Sequence, residues 1–244
     1  MADEGAAMTI PALARLFRGP LEPFADSLTL APAEGARPAA DLLEPETLRG
    51  LIDRLAAHYG DGDRRAVASL WSKSHFSTLM PAALAANLLL DLDLPVTLDE
   101  ASVVADERGR TLRVALPHGG APLDPERGEA RFDRLIDGHL EPLIAALAAV
   151  SGASKKVFWS NAGNVFDFIV RGAGDLGAPA AGVEAGLAVM AERRRYGRPN
   201  PLYAPVSYPP SGRVRRVCCL RYLAPGVGYC GTCPVIPEGV AAAD

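Results

Sequence analysis

Cysteine is missing from the first 217 residues of this 244-residue chain, Asp and Glu are missing from Arg193 to Pro237, and long apolar runs are missing throughout. The first absence excludes a disulfide framework distributed over the fold, because all four cysteines lie within sixteen residues near the C-terminus. In a reducing compartment such clustering points to metal binding or redox work. The third absence argues against a membrane span. The longest mostly apolar run, Pro81 to Leu90, is bounded by Lys73 and by Asp91 and Asp93, and falls well short of the roughly 20 residues a spanning helix needs. The start, Met1 to Ala7, carries Asp3 and Glu4 and lacks the basic opening and apolar stretch of a secretory signal, so a cytoplasmic location is expected. A phosphate-cradling loop is missing too, since Gly172-Ala173-Gly174 has neither a strand before it nor a matching third glycine.

What is present is an ordinary globular composition, 49% hydrophobic and 22% charged, on a chain long enough for one large domain or one domain and a small appendage. The charge is uneven. Eight arginines between Arg193 and Pro237 face no acid, whereas the rest of the chain sets 17 basic side chains against 29 acidic ones. The cysteines therefore sit in a positive field.

Periodicity divides the chain into three parts. Residues 1–44, with Pro20, Pro23, Pro32 and Pro38, read as an irregular leader carrying one short helical candidate, Ile10 to Arg18. Residues 45–198 read as a helical body. Leu48, Leu51, Ile52, Leu55 and Tyr59 mark one helix face, and Val67, Leu70, Trp71, Ser74 and Thr78 mark a second, which meets Pro81 and is expected to kink or restart there. Ala101 to Ala105 and Thr111 to Leu116 have the period of a hairpin. Asp124-Pro125 then opens a helix through Phe132 and Leu147 that Pro142 should bend, followed by helices over Ser154 to Val170 and Pro179 to Tyr196. Residues 199–244 form a proline-rich strap and a cysteine module. The fold class expected is α+β, mainly α, with a small hairpin and a C-terminal metal module.

The module reads Cys218-Cys219, ten residues, Cys230, two residues, Cys233. Four thiolates satisfy a 2Fe-2S cluster, in which each of two irons takes two protein ligands. Adjacent ligands demand a turn, because neighbouring side chains on a strand point to opposite faces. A structural zinc site shares the tetrahedral-sulfur preference but usually pairs its ligands through two short spacers. A redox dithiol at Cys230-Gly231-Thr232-Cys233 lacks the following helix that would lower a thiol's pKa, since Pro234 and Pro237 come next. Four inert buried thiols are the remaining reading.

Arg216-Val217-Cys218-Cys219-Leu220-Arg221-Tyr222, with Pro225-Gly226 and Tyr229-Cys230-Gly231-Thr232-Cys233-Pro234, resembles the C-terminal signature of FhuF-like ferric siderophore reductases. Leu70-Trp71-Ser72-Lys73 and Trp159-Ser160-Asn161-Ala162-Gly163-Asn164 are similar to that family's internal segments. The resemblance covers roughly residues 65–236. It implies a 2Fe-2S cluster on Cys218, Cys219, Cys230 and Cys233, reduction of a ferric siderophore of hydroxamate type, and a helical domain similar to the C-terminal region of siderophore synthetases. It also implies an external electron donor such as a ferredoxin or a reductase, with no flavin or nicotinamide site in this chain and no nucleic acid among the partners. The alternative is a siderophore-binding or siderophore-modifying protein with a structural zinc on the same cysteines; a cluster-bearing sensor without turnover is a third reading.

Arg213, Arg215, Arg216 and Arg221 flank the cysteines and, with Lys73 and Trp71, are the candidate docking surface for an anionic chelate or an acidic donor protein. The same pattern also fits solvated surface arginines. Arg193, Arg194 and Arg195 read as a helix C-terminal charge cluster. Trp71 and Trp159 fit core positions as well as stacking roles, His75 reads as packed or hydrogen-bonded, and Asn161 and Asn164 suit structural hydrogen bonding as well as substrate contact.

Overall fold

A computed structural model describes residues 10–31, 33–60, 62–210 and 212–242. In chain order it lays down β1 (Leu28–Leu30), β2 (Arg37–Pro38), α1 (Pro45–His58), α2 (Arg64–Leu90), β3 (Leu92–Asp93), β4 (Ser102–Ala105), β5 (Thr111–Leu116) and β6 (Ala121–Pro122). There follow α3 (Asp133–Leu135), α4 (Glu141–Ser151), α5 (Lys155–Ala173), α6 (Ala180–Ala191), β7 (Arg194–Arg195), β8 (Arg198–Pro199), β9 (Val206–Ser207) and β10 (Val214–Arg215). The fold is α+β and mainly α, as the periodicity predicts.

α1 buries Leu48, Leu51, Ile52 and Leu55, the face that its apolar spacing marks. α2 starts where the Asp63 carboxylate accepts from the Arg65 N–H at 2.8 Å and ends at Asp91, whose φ of 46° lets the chain reverse. It does not break at Pro81: one α-helix runs through that position for 27 residues. Being buried on most of its sides, it is held by packing, and it packs most extensively against α5. Both helices contribute to one large hydrophobic core.

The expected hairpin is β4 and β5, with Val103 opposite Val114. It does not stand alone. Leu28–Leu30 pairs with β5 in parallel and Arg37–Pro38 pairs with β4 antiparallel, giving the order β1-β5-β4-β2. Two short segments from the first 44 residues thus occupy backbone groups along the hairpin's edges. Ile10 to Arg18, read as a helix, forms consecutive turns closed by bonds such as Leu13 N–H to Ile10 O and Leu16 N–H to Leu13 O. So short a segment does not offset the cost of helix nucleation.

Pro142 lies in the first turn of α4, immediately after a π-helical turn over residues 136–140. The wider turn relieves the clash that a proline ring makes with the carbonyl four residues back. α6 ends at Ala191, five residues before the sequence suggests. Asn200 explains the stop, because its Nδ2 donates to Val189 O at 2.6 Å and Glu192 O at 2.8 Å, occupying terminal carbonyls. Arg194 and Arg195 then pair with Arg198 and Pro199 in a minimal hairpin. Arg195 is buried against Asp133 and Asp137, so it acts across the fold and not at the helix end.

Candidate functional site

The strap turns at β9 and β10 and delivers the cysteines against α2 and α5. Gly163, in the middle of α5, makes this approach possible: a Cβ there would lie 2.5 Å from Pro205 Cβ. From Arg215 the chain passes Val217, Cys218 and Cys219 and reverses at Leu220, a non-glycine residue at φ 60°. That turn separates the two adjacent cysteines. Leu220 N–H folds back to donate to Cys218 Sγ at 3.3 Å, while Cys219 turns inward to 1% exposure.

Cys230 and Cys233 return to the same place, forming with Cys219 a small apolar cluster separate from the main core. Among the described residues no group of three or more His, Cys, Asp or Glu is gathered to hold one metal ion. The thiols lie near one another all the same. Cys219 Sγ lies 3.6 Å from Cys230 Sγ, and burial, with the nearby charges of Cys233 and Cys230, pushes the Cys218 thiol up. Four neighbouring thiols are the number that two irons want at two protein sulfurs each.

Electrostatics favours thiolate character on one side of the module. The Cys219 thiol donates to Cys230, and with Arg215 and Lys73 nearby this holds Cys230 down at about 4, against the opposing effect of burial. The same hydrogen bond, with burial, pushes Cys219 well up. Lys73 projects from α2 beside Cys219 and Cys230, and burial lowers its pKa. Arg215 is 3% exposed, a guanidinium held close to the sulfurs.

A polar lattice fastens the module to the body. Asn161 is its hub: its Nδ2 donates to Ser69 Oγ and Ser72 Oγ, both at 2.9 Å, and its Oδ1 accepts from Arg215 Nη1 at 2.6 Å. Ser69 Oγ donates to Cys219 O at 2.6 Å, and Ser160 Oγ donates to Val217 O at 2.7 Å. Arg215 also reaches Thr232 Oγ1, between the last two cysteines, at 3.1 Å. Each bond satisfies a buried group that would otherwise be costly.

The other candidate residues divide by surroundings. Trp71 is fully buried, donates its indole N–H to Gly109 O at 2.7 Å and stacks on His75. Arg213 pairs with the buried Asp167 at 3.0 Å and donates to Asn164 Oδ1 at 2.7 Å. Arg221 donates to Val227 O at 2.8 Å inside the module's own loop. Arg216 is exposed, donating to Tyr203 O at 3.2 Å. Trp159 is 8% exposed and borders a cleft beside the strap. His75 is buried in a chain from Thr111 through His139 to Val96 O.

Ser69, Ser72, Ser160, Asp167 and Thr232 were not legible as site residues. The available signal was a hydroxyl or carboxylate at an otherwise apolar helical position, or for Thr232 a hydroxyl in the turn between two cysteines, and neither reveals its partner.

A family model described as ferric iron reductase FhuF-like transporter matches residues 69–212, and one described as FhuF 2Fe-2S C-terminal domain matches residues 215–234. The ferric siderophore reductase of Escherichia coli (strain K12) is 27% identical over 176 residues, which cover 70% of this chain and 66% of that protein, a little under two thirds of its length. Among solved structures, ATP-bound aerobactin synthetase IucA from a hypervirulent Klebsiella pneumoniae pathotype superposes with a TM-score of 0.58 at 12% identity, over 69% of this chain and 37% of the synthetase. That likeness concerns the fold. The cysteine segment is a 2Fe-2S domain, and no helix among the described residues is long and apolar enough to cross a membrane.

Proposed function

The chain belongs to the FhuF-like ferric iron reductase family, and from that premise we propose that it reduces a ferric siderophore in the cytoplasm to release the iron. The observation that carries this reading is the set of four neighbouring thiols beside the half-buried Lys73 and the buried Arg215, at the end of the matched segment. Cys218, Cys219, Cys230 and Cys233 hold the 2Fe-2S cluster in this proposal. When bound, the cluster supplies one electron.

The chain's own residues do the rest. Cys219, Cys230 and Cys233 are buried, which shields that side from water, whereas Cys218 is half-buried and marks the side open to exchange. Lys73 and Arg215 bring positive charge to the ligands, which favours the more reduced, more negative state and raises the potential. Ferric iron in a hydroxamate chelate is a hard cation held by oxygen, and ferrous iron is held far less tightly. Reduction is therefore release. The electron comes from an external donor such as a ferredoxin or a reductase.

Anaerobic absorption spectra, iron and sulfide analysis, and EPR after dithionite reduction test the reading. About two irons and two labile sulfides per chain, with reoxidation on adding a ferric hydroxamate, are expected. One tightly bound zinc and no visible chromophore would replace the proposal with a structural metal site.

A further inference from the structure

Several arginines that touch the strap or the body are neutralised: Arg195 by Asp133 and Asp137, Arg213 by Asp167, Arg131 by Asp91. Lys155, Lys156 and Arg216 are not. None of the three takes part in an ion pair among the described residues. All three are exposed, and all three line one cleft of about 420 Å³ whose lining contains no Asp or Glu. Three uncompensated cations around one concavity set up a field that concentrates anions.

The remaining walls are largely aromatic and proline. Trp159 forms one, and Tyr203 forms another, its ring flanked by the Arg193 guanidinium at 4.7 Å and that of Arg216 at 5.5 Å. Apolar walls with a few fixed polar groups are the usual composition of a small-molecule site, and the volume falls in the usual range. The position matters as much as the lining. Ser160 and Val217, joined by a 2.7 Å hydrogen bond, form part of the cleft, and the residue after Val217 is Cys218, the cysteine that is not fully buried.

We propose that this cleft seats the ferric chelate and selects chelates of net negative charge, those bearing peripheral carboxylates in addition to the iron-binding groups. The inference deepens the reductase reading and rests on it for the presence of iron, but its charge preference comes from Lys155, Lys156 and Arg216 alone. The aromatic walls take the organic arms of the chelate. Arg216 and the two lysines take its carboxylates, and the iron is brought to the Cys218 side of the module.

A matched pair of redox-inert probes tests it: the gallium(III) complex of desferrioxamine B, made cationic by its free amine, and that of the N-succinyl derivative, made anionic by its carboxylate. Both present the same trihydroxamate core. Calorimetric titration of the cluster-loaded protein should show the anionic probe binding about tenfold tighter or more at low salt, with the gap narrowing as salt screens the charges. The Lys155→Gln/Lys156→Gln/Arg216→Gln variant should lose the preference while keeping its cluster absorption spectrum. Equal affinities, no binding of either probe, or a preference that survives in the variant would overturn the proposal. Mixing dithionite-reduced protein with the two ferric counterparts separates this from the reductase reading. Reoxidation by both ferric forms without a charge preference in the gallium titration removes the cleft assignment alone; no reoxidation by either removes the reductase reading, while the gallium titration still decides the cleft.

Discussion

Asn161 touches α2 through Ser69 and Ser72 and the cysteine module through Arg215. Removing its side chain leaves a buried guanidinium and two buried hydroxyls short of partners. Asn161→Ala is therefore expected to lower stability by about 1–3 kcal/mol and to shorten the lifetime of the bound cluster, read by chemical denaturation and by the decay of cluster absorbance in air. Unchanged values in both would remove Asn161 from its place as hub. A second residue-scale device lies deeper. His139 Nδ1 donates to Val96 O at 2.6 Å, so its Nε2 accepts from His75 Nε2 at 2.8 Å, and His75 Nδ1 accepts from Thr111. Both rings are neutral in this chain of bonds, and a proton added to His139 Nε2 would set two N–H groups against each other. Burial holds His139 down to about 4, from an ordinary 6.5, and burial together with its neighbour holds His75 well below that ordinary value. The unfolded chain takes up protons as pH falls below about 6.5 that the folded chain refuses. Stability is thus fully present above that pH, declines toward about 4, and for His139 the loss amounts to about 3 kcal/mol. Urea unfolding midpoints across this window should fall with pH, and the His75→Leu/His139→Leu variant should show a flatter dependence; identical slopes would exclude the pair as the source.

At the scale of elements, the approach of the strap to α5 sets where the cysteines lie. Pro205 rests against Gly163 with no room for a methyl group. Gly163→Ala improves local helix propensity but must push the strap outward, and the strap carries Arg215, Val217 and the first two cysteines. The expected result is a protein with undiminished helical circular dichroism and less iron per chain after anaerobic purification. Full iron content would show that the module tolerates the displacement. α2 illustrates the opposite balance, since Pro81 removes a backbone donor and yet the helix continues, held by buried side chains on most of its sides.

For the whole molecule, the main core and the cysteine cluster are separate hydrophobic bodies. Loss of the smaller one need not unfold the larger. Cys219→Ser should abolish or destabilise the cluster, seen as loss of visible absorption, while leaving helical circular dichroism in place; a global loss of helix would mean that the module is required for the body to fold. The charge asymmetry also resolves at this scale. Of the eight arginines in the acid-free stretch, Arg195 and Arg213 are consumed by acids of the body, and Arg215 turns inward to the sulfurs. Arg216 faces the cleft with the two lysines of α5.

The sequence by itself determined the helical class, the amphipathic face of α1, the β4–β5 hairpin and the four-cysteine module, because each is written in local spacing: periods of 3.6 and 2, caps, and a fixed interval between cysteines. It also carried the family resemblance in contiguous words around those cysteines. Tertiary structure alone decided which partners the polar residues took. Ser69 and Cys219 are 150 residues apart and Asn161 and Arg215 are 54 apart, and nothing in the neighbourhood of a serine or an asparagine specifies a partner at that distance. The same holds for the short strands β1 and β2, too brief to show a period but fixed by the hairpin edges they pair with. It holds as well for the arginines, whose roles as clamp, sulfur neighbour or cleft wall depend on whether the folded chain places a carboxylate, a thiol or open space before each guanidinium.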